Sequence, residues 1–84
     1  MNTIYAEYPV NDIVLAACMK LNLIRIDRIS VHGSRGTFHF KDVPEQFLTD
    51  FDSGNVLVEP CTFHAEIRSL NTAIKRQIAA RNQT

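Results

Sequence analysis

The chain contains no tryptophan, only two cysteines and, with nine basic against nine acidic side chains, no net charge. Two cysteines, Cys18 and Cys61, cannot build a disulfide scaffold, so a reducing cytoplasm is the expected compartment. Long apolar runs are also missing. The longest, Ile13 to Met19, has seven residues, where a bilayer-spanning helix needs roughly 20. It follows an acid, has no basic segment before it and no small-residue cleavage site after it, so it does not read as a signal peptide. Zero net charge argues against a dedicated polyanion binder, although a local basic patch stays possible.

What is present is an 84-residue chain, 45% hydrophobic and 21% charged. That length suits one small domain, residues 1–84, and excludes large multi-substrate enzymes. The aliphatic content exceeds that of disordered chains, which lack the apolar surface to offset their ordering entropy.

The pattern predicts an α+β fold: an N-terminal helix, a β-hairpin, a short helix and a long C-terminal amphipathic helix. Residues 1–8 alternate weakly and form an edge strand or an arm; residues 82–84 form a frayed tail. Pro9 ends that segment, and Asn11 with Asp12 supplies N-cap chemistry for a helix from about 12 to 21. This helix is apolar all round, which implies burial on several sides. In so small a domain that points to a subunit interface. Asn22 is the expected stop, since asparagine tolerates the left-handed conformation.

Ile24, Ile26, Ile29 and Val31 mark a strand whose alternation changes phase between Ile26 and Ile29, the signature of a bulge. Gly33-Ser34-Arg35-Gly36 reads as a turn and residues 37–41 as the returning strand, with Phe38 and Phe40 on one face. Asp42 and Pro44 introduce a short helix carrying Phe47, Leu48 and Phe51. Val56-Leu57-Val58 is an extended link. Pro60 opens the last helix, where Phe63, Ile67, Leu70, Ile74 and Ile78 fall within about an 80° stripe at 100° per residue. A helix of about 20 residues spans roughly 30 Å, so its far end should project or pack on another copy.

Asp12-Ile13-Val14-Leu15-Ala16-Ala17, Phe38-His39-Phe40-Lys41-Asp42, and Gly54 followed by Val58-Glu59-Pro60, Phe63, Arg68 and Leu70 resemble, in order and spacing, a family of small domains of bacteria and their phages, domain-of-unknown-function family 5659. The resemblance covers about residues 8–76. Asn22 stands where family members often carry glycine. It implies a compact α/β domain of phage or mobile-element type and brings no assigned activity, cofactor or catalytic residues.

Candidate chemistry is sparse. Cys61 and His64 are three apart on the last helix, and His32, His39 or Cys18 could complete a zinc site. Zinc needs four converging ligands, and only this half-site has usable spacing, so no metal is assigned. Cys61 at a helix N-terminus with His64 one turn away could be a nucleophile, but no oxyanion hole is identifiable and Glu59 opposes thiolate formation. Asp50 with Asp52, and Asp42 with Glu45, could hold a cation or transfer protons; their places at helix ends and in a turn favour capping. Gly33-Ser34-Arg35-Gly36 lacks the lysine-serine/threonine ending of a phosphate loop. No catalytic residue and no cofactor is expected.

Charge position is more informative than charge sum. Residues 42–66 hold six acids and no Lys or Arg, whereas residues 67–84 hold four bases and no acid. The macrodipole of the last helix accounts for part of this. A basic helical end joined to the hairpin would add a possible nucleic-acid contact through Arg25, Arg28, Arg35, Lys75, Arg76 and Arg81, although no tryptophan or tyrosine interleaves them for stacking. The leading expectation is a small non-enzymatic protein-protein interaction module, homo-oligomeric and most simply a dimer, with Val14, Cys18, Met19, Ile74 and Ile78 at the interface. A nucleic-acid accessory protein is the alternative.

Overall fold

The computed structural model describes residues 3–81. Its elements are β1 (Ile4–Val10), α1 (Ile13–Leu21), β2 (Arg25–His32), β3 (Arg35–Pro44), α2 (Glu45–Asp52) and α3 (Pro60–Arg81). The strands form one antiparallel sheet of order β1-β3-β2. At 17 Å the shortest axis is two layers deep, one sheet and one layer of helices. This is the small α+β domain with a long C-terminal helix that the pattern predicts. The frayed tail expected at 82–84, and residues 1 and 2 of the expected arm, lie outside the described residues.

The N-terminal segment is a true strand. It continues through Pro9, which pairs with His39 and therefore does not end the element. Proline is tolerated here because β1 is an edge strand with no second neighbour to receive its missing N–H. Phase changes then decide which side chains point inward. Tyr5 pairs with Val43 and Tyr8 with Phe40, so both strands switch face over the same interval. Asp42 lies there with φ of 53°, a left-handed conformation that aspartate accepts more readily than most residues. As a result Phe40 and Val43, three apart, are both fully buried. Tyr5 and Tyr8 likewise share a face, with ring centroids 5.5 Å apart. The bulge expected between Ile26 and Ile29 is present: the register shifts between Ile26 and Arg28, and Ile26 opposes Phe40 while Ile29 opposes Phe38.

The hairpin turn is tighter than the four-residue reading. His32 pairs with Arg35 and Val31 with Gly36, so only Gly33 and Ser34 lie between the strands. Gly33 has φ of 65°, and a positive φ confined to the first central residue is the type II′ pattern that matches strand twist. Asp42 and Pro44 belong to β3, whose last residue, Pro44, is the N-cap of α2 and so introduces the short helix as expected, and Glu45 N–H donates to Thr3 O at 2.9 Å.

Helix α1 begins as its cap predicts. Asp12 accepts from Val14 N–H at 2.9 Å, and Asp12 C=O accepts from Ala16 N–H at 3.0 Å. The subunit-interface reading of α1 is corrected, because the helix lies against the sheet on one side and α3 on another. Ala16, Ala17, Cys18 and Met19 are all buried within one chain, so Cys18 and Met19 are core residues and offer no surface to a partner. Val14 remains 43% exposed. The stripe on α3 faces inward as expected: Leu70 is buried, and Phe63, Ile67 and Ile74 pack against the core. Ile74 and Ile78 are half-buried on this inner face, and Arg81 Nη1 donates to Val31 O at 2.6 Å. The far end of α3 is thus tied to its own strand β2 instead of projecting.

Candidate functional site

Helix α1 ends on an unusual residue. Ile24 N–H donates to Met19 O and Leu23 N–H to Lys20 O, at 3.0 and 3.1 Å, which is the Schellman arrangement with Leu23 at the left-handed position. Asn22, the expected left-handed stop, instead has φ of −98° and serves through its side chain, donating from Nδ2 to Cys18 O at 2.8 Å. Leu23 takes φ of 65°, where a Cβ costs about 1 kcal/mol or more relative to glycine. The leucine gains nothing in return from the core, since it is 89% exposed.

Leu57, in the link between α2 and α3, is equally exposed at 89%. The link lies beside the end of α1: Leu21, Asn22, Leu57, Val58, Glu59 and Thr62 line one shallow concavity. A second hollow follows immediately, bounded by Lys20, Leu23, Ile24 and Arg25. One end of the molecule therefore presents two nearly naked leucines, with bases beside Leu23 and an acid beside Leu57. Glu59 also caps α3, its Oε2 accepting from Thr62 N–H at 2.6 Å. That bond and those from Cys61 hold the carboxyl below its usual range, so Glu59 carries full negative charge at neutral pH.

The metal and thiol candidates stay apart. Cys61 and His64 are exposed on α3, one turn apart, whereas Cys18 is a buried residue of α1, His32 sits at the hairpin end and His39 lies on β3. Among the described residues no three metal-ligating side chains converge. Burial, and secondarily the charge of Asp12, pushes the Cys18 thiol upward, which suits an inert core residue. Asp50 does not cap: its Oδ1 accepts from Gln46 Nε2 at 2.9 Å within α2.

The bases divide between faces. Arg28 projects on the open face of the sheet and donates to Glu7 at 3.0 Å. Arg25 opposes Lys41 there, and Lys41 pairs with Asp27 at 3.4 Å. Lys75, Arg76 and Arg81 belong to α3 on the other side, and Arg35 stands at the hairpin end. The six residues do not compose one strip.

A further cluster on the open face escapes sequence reasoning, because it needs the strand register. Ser30 Oγ lies 2.8 Å from His39 Nε2, and His39 Nδ1 lies 3.3 Å from Glu7 Oε1, the oxygen that also accepts from Arg28. A serine, an imidazole and a carboxylate in line are the parts of a nucleophile relay. The Nδ1 atom is nevertheless buried without a well-directed hydrogen bond, and Arg28 competes for its acceptor. The row crosses the open face of the sheet and ties its three strands together, Glu7 from β1, His39 from β3 and Ser30 and Arg28 from β2.

A cleft of about 520 Å³ lies at the other end of α1, between the hairpin end, the start of α1 and the middle of α3. Among the described residues, no helix is long and apolar enough to cross a membrane. No protein-family model, curated protein or solved structure matches the chain.

Proposed function

We propose that the protein is a small, non-enzymatic protein-protein interaction module that works as a homodimer through the Leu23–Leu57 end. The observation that carries this reading is Leu23: a bulky residue held at φ of 65° and 89% exposed sacrifices stability at a position where glycine fits. Strain of this kind persists where function needs the side chain. A second copy is the partner because the patch is self-complementary. In a two-fold arrangement, Leu23 with Lys20 and Arg25 of one copy meets Leu57 with Glu59 of the other, and the same contact repeats.

Four leucines would then be buried, each for about 1.5–3 kcal/mol, against an association cost of about 4–15 kcal/mol. Those terms are comparable, so the dimer is weak and transient in character. This replaces the interface built on Cys18 and Met19 and retains the dimer. Two free thiols, Cys18 and Cys61, suit a cytoplasmic setting, and the family resemblance suits a phage or mobile-element origin.

Sedimentation velocity over a concentration series tests the proposal. Wild type should show a concentration-dependent dimer that Leu57→Ser abolishes without lowering the thermal midpoint, because Leu57 is 89% exposed and outside the core. A wild type that stays monomeric overturns the reading. Nucleic-acid binding is the weaker alternative, given bases split between two faces. A steeply salt-dependent gel shift lost in a Lys75→Ala/Arg76→Ala variant would favour it.

A further inference from the structure

We propose that the cleft at the hairpin end binds a small organic anion, a phosphate or carboxylate carried on an apolar body. Its volume of about 520 Å³ falls within the range of small-ligand sites. The floor is apolar, formed by Ile13, Phe38 and Ile74. Gly36 sets the shape, since a Cβ there would stand 2.7 Å from Ile74 Cγ1 and force that side chain to move.

The rim supplies donors. Thr37 Oγ1 donates to Asn11 Oδ1 at 2.7 Å, which engages the carboxamide oxygen and leaves its N–H₂ group for a ligand. Asn71, Arg35 and His32 also line the cleft, with a carboxamide, a guanidinium and an imidazole among their groups, and among the described residues no Asp or Glu lines it. A donor-rich rim without carboxylates selects an anion, and the planar guanidinium fork matches two oxygens of a phosphate or carboxylate. One exposed guanidinium holds a bare ion poorly against water and salt. The apolar floor therefore calls for a ligand with a hydrophobic body, which separates this site from a general anion patch. The site is independent of the dimer surface, at the opposite end of α1.

The test is a titration of the ¹⁵N-labelled full chain with phenyl phosphate, inorganic phosphate and benzyl alcohol, followed through backbone amide shifts. Phenyl phosphate should give saturable shifts at Gly36, Thr37 and Asn71, with the other two probes each at least about tenfold weaker, the loss expected when one charged hydrogen-bond set or the apolar contact is missing. Arg35→Gln should weaken phenyl phosphate by about tenfold. Because Arg35 is exposed, the variant should keep the wild-type amide spectrum elsewhere; Asn71→Leu provides a second probe of the donors. Equal binding of phosphate and phenyl phosphate, shifts centred outside the cleft, or no response to either substitution would overturn the proposal.

Discussion

Gly36 on β3 lies directly against Ile74 on α3: a Cβ at Gly36 would stand 2.7 Å from Cγ1 and 2.8 Å from Cδ1 of that isoleucine. The strand and the helix approach this closely because position 36 has no side chain, and Ile74 occupies the space. Gly36→Ala should therefore overpack the contact, at about 1–3 kcal/mol, partly offset by about 0.5–1 kcal/mol from replacing a strand glycine. The net expectation is a loss of about 1 kcal/mol by urea denaturation. In the Gly36→Ala/Ile74→Ala double variant the two losses should fall short of additive by at least about 0.5 kcal/mol. Strict additivity would mean that the two residues do not meet.

Leu23→Gly should stabilise the isolated fold. Glycine accepts φ of 65° without a Cβ penalty, and the side chain removed is 89% exposed. The expected gain is about 1 kcal/mol, read by denaturation at concentrations where the wild type is monomeric. The same change should weaken self-association. Stability and function are thus expected to move in opposite directions at this residue, and a variant that loses stability would show that Leu23 makes contacts absent from the fold described above.

Asp12→Ala removes the acceptor for Val14 N–H at the start of α1. Loss of such a cap typically costs about 1 kcal/mol, and Asp12→Asn should recover most of it. Chemical denaturation of the three proteins measures both differences.

Glu59 makes stability depend on pH. Hydrogen bonds from Thr62, and then from Cys61, lower its folded pKa below the unfolded value. The sign follows from proton linkage: the stabilisation is fully present above the unfolded pKa and is lost as pH falls through the folded pKa. Glu59→Gln mimics the protonated form. The gap in thermal midpoint between wild type and Glu59→Gln should be open at neutral pH and close in acid. A gap that persists unchanged below the carboxylate range would contradict the capping role.

Much of the architecture was legible in local pattern. Asp12 as a cap, the phase change between Ile26 and Ile29, Pro60 at the first turn of α3 and the Phe63–Ile78 stripe each report a backbone requirement within a few residues. What depends on distant neighbours was not legible. The all-round apolar surface of α1 reads as an interface until α3 and the sheet cover it, and Met19 becomes core. Asn22 looks like the left-handed residue because asparagine tolerates that region, yet its side chain bonds Cys18 O and passes the strained position to Leu23. Glu59 is an uncommon cap type, so Pro60 was the stronger signal for the helix start. The leucine end escaped because a single Leu after a helix, or one within Val56-Leu57-Val58, resembles ordinary core material. Only the fold leaves both of them at 89% exposure.

The central claim, that two copies meet through Leu23 and Leu57, is tested most directly by an isotope-filtered NOE experiment on a mixture of ¹³C-methyl-labelled and unlabelled protein. Intermolecular NOEs between the Leu23 and Leu57 methyl groups, fading on dilution towards concentrations where the protein sediments as a monomer, are the predicted result. A dimer whose intermolecular NOEs fall on other residues, or a spectrum with none at concentrations where sedimentation detects association, would contradict it.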